Sequence, residues 1–245
     1  KNWVWLFLLS LGTHPILDCF TPYGTQLFLP FSDYRIAFNT ISVADPSYTL
    51  PFLFCLIVAM FYKRTNYKRS KWTKAGIYIS SAYMLLTIGN KFYMNAVFKK
   101  SFDKANISYH RFRTQPTILN NFLWYGIAET NTDYKIAYYS IFDKSTTADN
   151  IISVPKNFTL LQMNDPDLKT LTWFSDEYYM VEKKENPTRI IYNDLRYVMN
   201  TNDSITAVMN FEIIKRGSRY TTKPNNGFKP PKDFFKNFWE RIKGI

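Results

Sequence analysis

Apolar positions fall into two patterns along the chain. In the first hundred residues they form long runs: Trp3 to Cys19, almost wholly apolar as far as Gly12; Leu50 to Tyr62; and Ala75 to Phe98, interrupted by Asn90-Lys91. Runs of this kind predict membrane-spanning helices. From Phe112 onward the runs become short, aromatic and β-branched, at 122–128, 134–142, 158–162, 171–174, 178–183, 189–192 and 207–214, with turn residues such as Glu129-Thr130-Asn131-Thr132-Asp133 between them. That pattern predicts an antiparallel sheet of six or seven strands. Over 232–242 the spacing of Phe234, Phe235, Phe238, Trp239 and Ile242 predicts a short basic amphipathic helix. The expected fold class is α+β: an α-helical membrane part with about three spans over 1–98, a mostly antiparallel β domain over 99–222, and a linker with an amphipathic tail over 223–245.

Charge gives this arrangement a direction. Six of the twelve residues from Lys63 to Lys74 are basic and none is acidic, and short loops this basic stay cytoplasmic. The expected protein is therefore multi-pass in a bacterial inner (cytoplasmic) membrane, with the β domain and the loop at 21–48 outside the cytoplasm. A signal peptide is the competing reading of the first run, but His14, Pro15 and Asp18 sit where a cleavage site needs small residues. The chain opens on Lys1-Asn2-Trp3 without a Met, so the expectation is that it lacks its natural N-terminus. Lys and Arg number 31 against 19 Asp and Glu. Because the excess gathers beside the membrane and in the tail, anionic lipid is the expected partner rather than nucleic acid. Eight scattered glycines make no phosphate loop, and Cys19 and Cys55 make no disulfide framework.

The anomaly is at the end of the first run, where His14 and Asp18 stand four residues apart. Ionisable groups in a membrane segment are costly and ask for a function. Imidazole nitrogen with carboxylate oxygen suits zinc, and a catalytic zinc takes about three protein ligands and leaves a position for water. Pro15 predicts a kink or helix restart near His14, which loosens the expectation that the two side chains share a helix face. A hydrogen-bonded His–Asp pair with a structural role is the alternative. In the loop that follows, Asp33 and Asp45 are the carboxylates available as a further ligand or a general base. Asp45-Pro46 also reads as a helix start and Asp33 as the partner in a loop ion pair. Arg35 could bind a phosphate or carboxylate, and Tyr23 and Thr25 could offer hydroxyls to a substrate. His110 is isolated, so no Ser-His-Asp triad is indicated.

His14-Pro15-Ile16-Leu17-Asp18, followed by Tyr23-Gly24-Thr25, Pro30-Phe31-Ser32, Asn39-Thr40-Ile41, Asp45-Pro46 and Tyr48-Thr49-Leu50-Pro51, resembles the YdjM-like family of bacterial inner-membrane metal-dependent hydrolases. These are also called LexA-binding, inner-membrane-associated hydrolases. The resemblance extends through Asn90-Lys91, Pro116 to Asn121, Leu123-Trp124, Tyr139 to Asp143 and Asn193 to Tyr197. It implies a multi-span protein with motifs distantly similar to zinc-dependent phospholipase C. His14 and Asp18 carry over as metal ligands, and the family's more N-terminal His and Asp elements are absent from this chain. The expected activity is a membrane-bound hydrolase using a divalent metal, zinc by ligand type, on an unknown small-molecule or lipid-like ester or phosphoester at the outer face. The alternative is a non-catalytic membrane or envelope interaction protein.

Overall fold

Asp45 and Pro46 open the clearest element of the N-terminal region. Asp45 accepts a hydrogen bond from the Ser47 backbone N–H at 2.9 Å, and Pro46 occupies a first-turn position that needs no N–H. The helix they start, α2, covers Pro46–Met60; before it lies α1, Asn2–Asp18, and after it α3, Tyr67–Lys104. The computed structural model describes residues 2–148, 150–156, 164–183, 189–201, 204–216, 219–225 and 233–245.

The three-span expectation is overturned: among the described residues no helix is long and apolar enough to cross a membrane. α2 has 15 residues, about 22 Å of helix against a hydrocarbon core of about 30 Å. α3 has 38 residues but fails on composition. The basic stretch expected to be a loop runs into its first turns, so Lys68, Arg69, Lys71 and Lys74 are helical, and Lys91, Lys99 and Lys100 follow. The uncharged segment left between Lys74 and Lys91 includes Ser80, Ser81, Thr87 and Asn90.

After α3 come β1 (Arg111–Pro116), β2 (Leu123–Glu129), β3 (Asp133–Ser140) and β4 (Ile151–Pro155), one sheet in that order. Then follow α4 (Pro166–Phe174), β5 (Tyr179–Lys183), β6 (Arg189–Asp194), β7 (Val198–Thr201), β8 (Ser204–Ala207), β9 (Asn210–Arg216), β10 (Arg219–Pro224) and α5 (Phe234–Ile242). A second sheet has the order β10-β9-β6-β5, antiparallel throughout, and β7 pairs with β8 as a hairpin. Antiparallel pairing and the C-terminal helix thus appear, but the described strands form two four-stranded sheets and a hairpin rather than one sheet of six or seven strands. The run at 171–174, expected as a strand, is instead the end of α4. Asp165 caps that helix through the N–H groups of Asp167 and Leu168, and Pro166 follows it. The expected strand at 158–162 lies outside the described residues, as does most of the expected linker.

The chain divides into two compact units: Lys1–Ser101 with Thr114–Tyr125 and Tyr139–Thr147, and Phe102–Arg113 with Gly126–Tyr138 and Ala148–Ile245. In the second, Leu168 and Leu171 of α4 pack with Tyr179, Val181, Ile190, Tyr192 and Ile213 of the β10-β9-β6-β5 sheet. Tyr179 and Tyr192 stack at 4.8 Å between ring centroids. The Tyr192 hydroxyl donates to the Leu171 carbonyl at 3.1 Å and meets the Ser175 hydroxyl. Burial holds this phenol far above its ordinary pKa, opposed in part by the Ser175 hydrogen bond, so it remains a neutral donor at the helix–sheet junction.

Candidate metal centre

α1 runs without a break through Pro15 to Asp18. Proline removes one N–H from the ladder, and here the helix carries on regardless: the Cys19 N–H and Sγ both donate to the Pro15 carbonyl at 3.2 Å. His14 and Asp18 therefore share a face, as positions four apart do. His14 Nε2 lies 3.4 Å from Asp18 Oδ2, with 76% and 47% of the two side chains exposed.

The residues after α1 fold back on its C-terminal end and fix it. The Thr21 hydroxyl donates to the Asp18 carbonyl at 2.8 Å. The Phe38 N–H donates to the Cys19 carbonyl at 2.7 Å, and the Thr40 N–H to the Phe20 carbonyl at 2.9 Å. Thr25 and Ile36 exchange backbone hydrogen bonds at 3.0 Å across the loop. Gly24 precedes that bridge with φ +70, and a Cβ there would stand 2.7 Å from the Ile36 carbonyl oxygen, so only glycine fits the turn. Cys19 is buried beneath it. Burial pushes its thiol pKa up, a hydrogen bond with Thr25 pulls the other way, and the Asp18 carboxylate adds to the rise. The sulfur is therefore an uncharged packing group.

The sequence-derived candidates separate in this frame. Tyr23, Thr25 and Arg35 are half-buried members of the same folded loop. Asp33 is exposed at its turn, where its backbone carbonyl accepts from Gln26 Nε2 at 3.1 Å. Asp45 is 3% exposed, and both its carboxylate oxygens are engaged. Oδ1 caps α2, and Oδ2 accepts from the Tyr83 hydroxyl of α3 at 2.9 Å. Burial raises the Tyr83 pKa and its hydrogen bond to Asp45 raises it further, which keeps the phenol protonated and donating.

One cluster in the same unit was not singled out from the sequence. Lys91 of α3 donates to the Thr114 carbonyl at 2.5 Å and to its hydroxyl at 2.7 Å, with its ammonium 5.9 Å from the Trp124 ring centre. Thr114 also donates to Asn95 Oδ1 at 2.5 Å. Asn90 Nδ2 donates to the carbonyl and Oδ1 of Asn121, each at 2.8 Å, and Asn121 Nδ2 donates to the Thr40 carbonyl at 2.7 Å. The only sequence signal for it is the polar pair Asn90-Lys91 inside an apolar run.

Chemically, His14 and Asp18 supply one nitrogen and one oxygen donor at 3.4 Å. Tetrahedral bonds of about 2.0–2.2 Å set neighbouring donors about 3.3–3.6 Å apart. An N–H···O hydrogen bond is shorter, at about 2.7–3.2 Å. The pair offers two donors of the types zinc takes, at a separation that an ion pair of the two side chains gives equally. Among the described residues no group of three or more His, Cys, Asp and Glu side chains is placed to hold a metal ion.

An apolar N-terminal helix that buries none of its residues presents the kind of surface that marks a protein or membrane interaction site. Residues 1–96 match the model of the family described as YdjM inner membrane protein, and over that stretch the chain is similar to that family. No curated protein and no solved structure matches the chain.

Proposed function

We propose that the protein is a membrane-associated, metal-dependent hydrolase of the inner membrane, with His14 and Asp18 as two ligands to a divalent metal, zinc by donor type. The reading rests on the 3.4 Å separation of His14 Nε2 and Asp18 Oδ2, the spacing of two adjacent donors on one ion. When bound, such an ion acidifies water and polarises an ester or phosphoester oxygen. Asp33, exposed on the loop that follows α1, is the carboxylate that would serve there as general base. Arg35 offers charge to an anionic substrate, and Tyr23 and Thr25 line the same loop. Asp45 serves the site through the fold, by fixing α2 to α3.

Membrane location is supported by the family and by α1. Trp3, Trp5, Phe7, Leu9 and Leu11 of that helix are each at least 60% exposed, and a helix apolar on all sides belongs in an apolar medium. A lipid-like substrate follows from that setting.

Elemental analysis of the purified protein tests the metal. Stoichiometric zinc in the wild type and its loss in both His14→Ala and Asp18→Ala are expected. Full retention by both variants refutes the ligand assignment. A wild type with no stoichiometric metal favours the non-catalytic membrane protein, in which the two side chains only pair with each other.

A further inference from the structure

α5 buries one side and leaves the other without cover. Phe234 and Ile242 are 5% and 6% exposed, Phe234 stacks on Phe238 at 5.6 Å, and Arg241 Nη2 donates to the Tyr138 carbonyl at 3.1 Å. The buried Phe234 and Ile242 and the Arg241 hydrogen bond to Tyr138 set the rotation of the helix within its own unit. On the side so turned outward, Phe235 is 70% and Trp239 61% exposed. Trp239 follows Phe235 by four residues and Lys243 follows Trp239 by four, so the three stack along one edge. Lys236, seven residues before Lys243, flanks them, and both lysines are exposed. An edge of Phe and Trp bordered by Lys is the composition of an element lying in the bilayer interface. The rings sit at headgroup depth and the ammonium groups meet anionic lipid.

We infer that α5 is a second membrane contact, docking flat on an anionic bilayer surface through Phe235 and Trp239 with Lys236 and Lys243 against the lipid phosphates. The occupant follows from charge: the chain carries a net +12, and both lysines beside the aromatic edge face outward. Each basic group near an anionic leaflet is worth about 1 kcal/mol, or about fivefold in binding. The inference uses the membrane location proposed above and not the metal, and α5 lies outside the residues matched by the family.

The test labels Trp239→Cys in the full chain with an environment-sensitive fluorophore; Cys19 and Cys55 are 1% and 2% exposed, which directs the label to position 239. The protein is mixed with vesicles of phosphatidylcholine, with or without phosphatidylglycerol, and recovered by flotation. With phosphatidylglycerol present, the label should blue-shift and be quenched by lipids brominated near the headgroup. Lys236→Ala with Lys243→Ala should shift that insertion roughly 25-fold toward water. A chain that floats while its label stays in water at both compositions overturns the inference and leaves the membrane location standing. Failure to float at all overturns both. A blue shift that appears without vesicles and grows with protein concentration assigns the edge to a second copy of the chain and likewise overturns it.

Discussion

Replacing Asp45 by alanine separates a structural carboxylate from a catalytic one. The side chain caps α2 through Ser47 and receives the Tyr83 hydroxyl of α3, both at 2.9 Å, at a position 3% exposed. Loss of an N-cap costs about 1 kcal/mol. Loss of a hydrogen bond to a charged acceptor costs about 1.5–3 kcal/mol and leaves a half-buried phenol to find water. Asp45→Ala should therefore cost about 3 kcal/mol. In a chain of this size that corresponds to a fall in Tm of roughly 6–12 °C, read by tryptophan fluorescence in detergent. Tyr83→Phe should cost about half as much, and the double variant should show a coupling of at least about 1 kcal/mol. Asp45→Asn should keep the cap but lose the acceptor for the Tyr83 hydroxyl, because asparagine has a single carbonyl oxygen, and should therefore cost about as much as Tyr83→Phe. Additive single costs, or an Asp45→Ala protein with unchanged Tm and no hydrolysis, would refute the structural role and return Asp45 to the chemistry.

In the second unit, Arg196 and Asp194 form a pair with side chains 1% and 0% exposed, joined at 2.7 Å, and the guanidinium also lies 4.9 Å from the Phe174 ring centre. Arg196→Ala strands a buried carboxylate and should cost about 3–5 kcal/mol in urea unfolding; a cost under 1 kcal/mol would contradict the pairing. Burial pushes the Asp133 carboxyl up, but hydrogen bonds from Lys135, Ser153 and Thr130 together outweigh it and bring its pKa down to about 2. A pKa lower in the folded than in the unfolded chain means stability that is present above about pH 4 and lost as pH falls toward 2. Acid titration of Asp133→Asn should show a shallower loss over that window, by about 1–2 kcal/mol, and an acid limb identical to wild type would exclude the effect.

How far the chain can be read without its structure depends on where each residue's partners lie. α5 is legible because its five apolar positions repeat within a few turns. His14 and Asp18 are legible for the same reason, and Pro15 misleads because one missing N–H need not end a helix. Asp45-Pro46 and Asp165-Pro166 carry one signal, an N-cap followed by a proline, and both open helices. At the second site the aromatic run 171–174 suggests a strand, although Leu168 and Leu171 already stand at helical spacing on the buried side. The apolar runs misjudge the spans because an apolar average ignores length and charge: α2 stops short, and lysines divide α3. Lys91 marks the limit of such reading. Its place inside an apolar run announces that something must solvate the ammonium, but Thr114 is 23 residues away and Trp124 belongs to β2. Periodicity reports neighbours within a turn or a pleat, whereas this lysine is accommodated by the pairing of a helix with a sheet, which only the folded chain brings together.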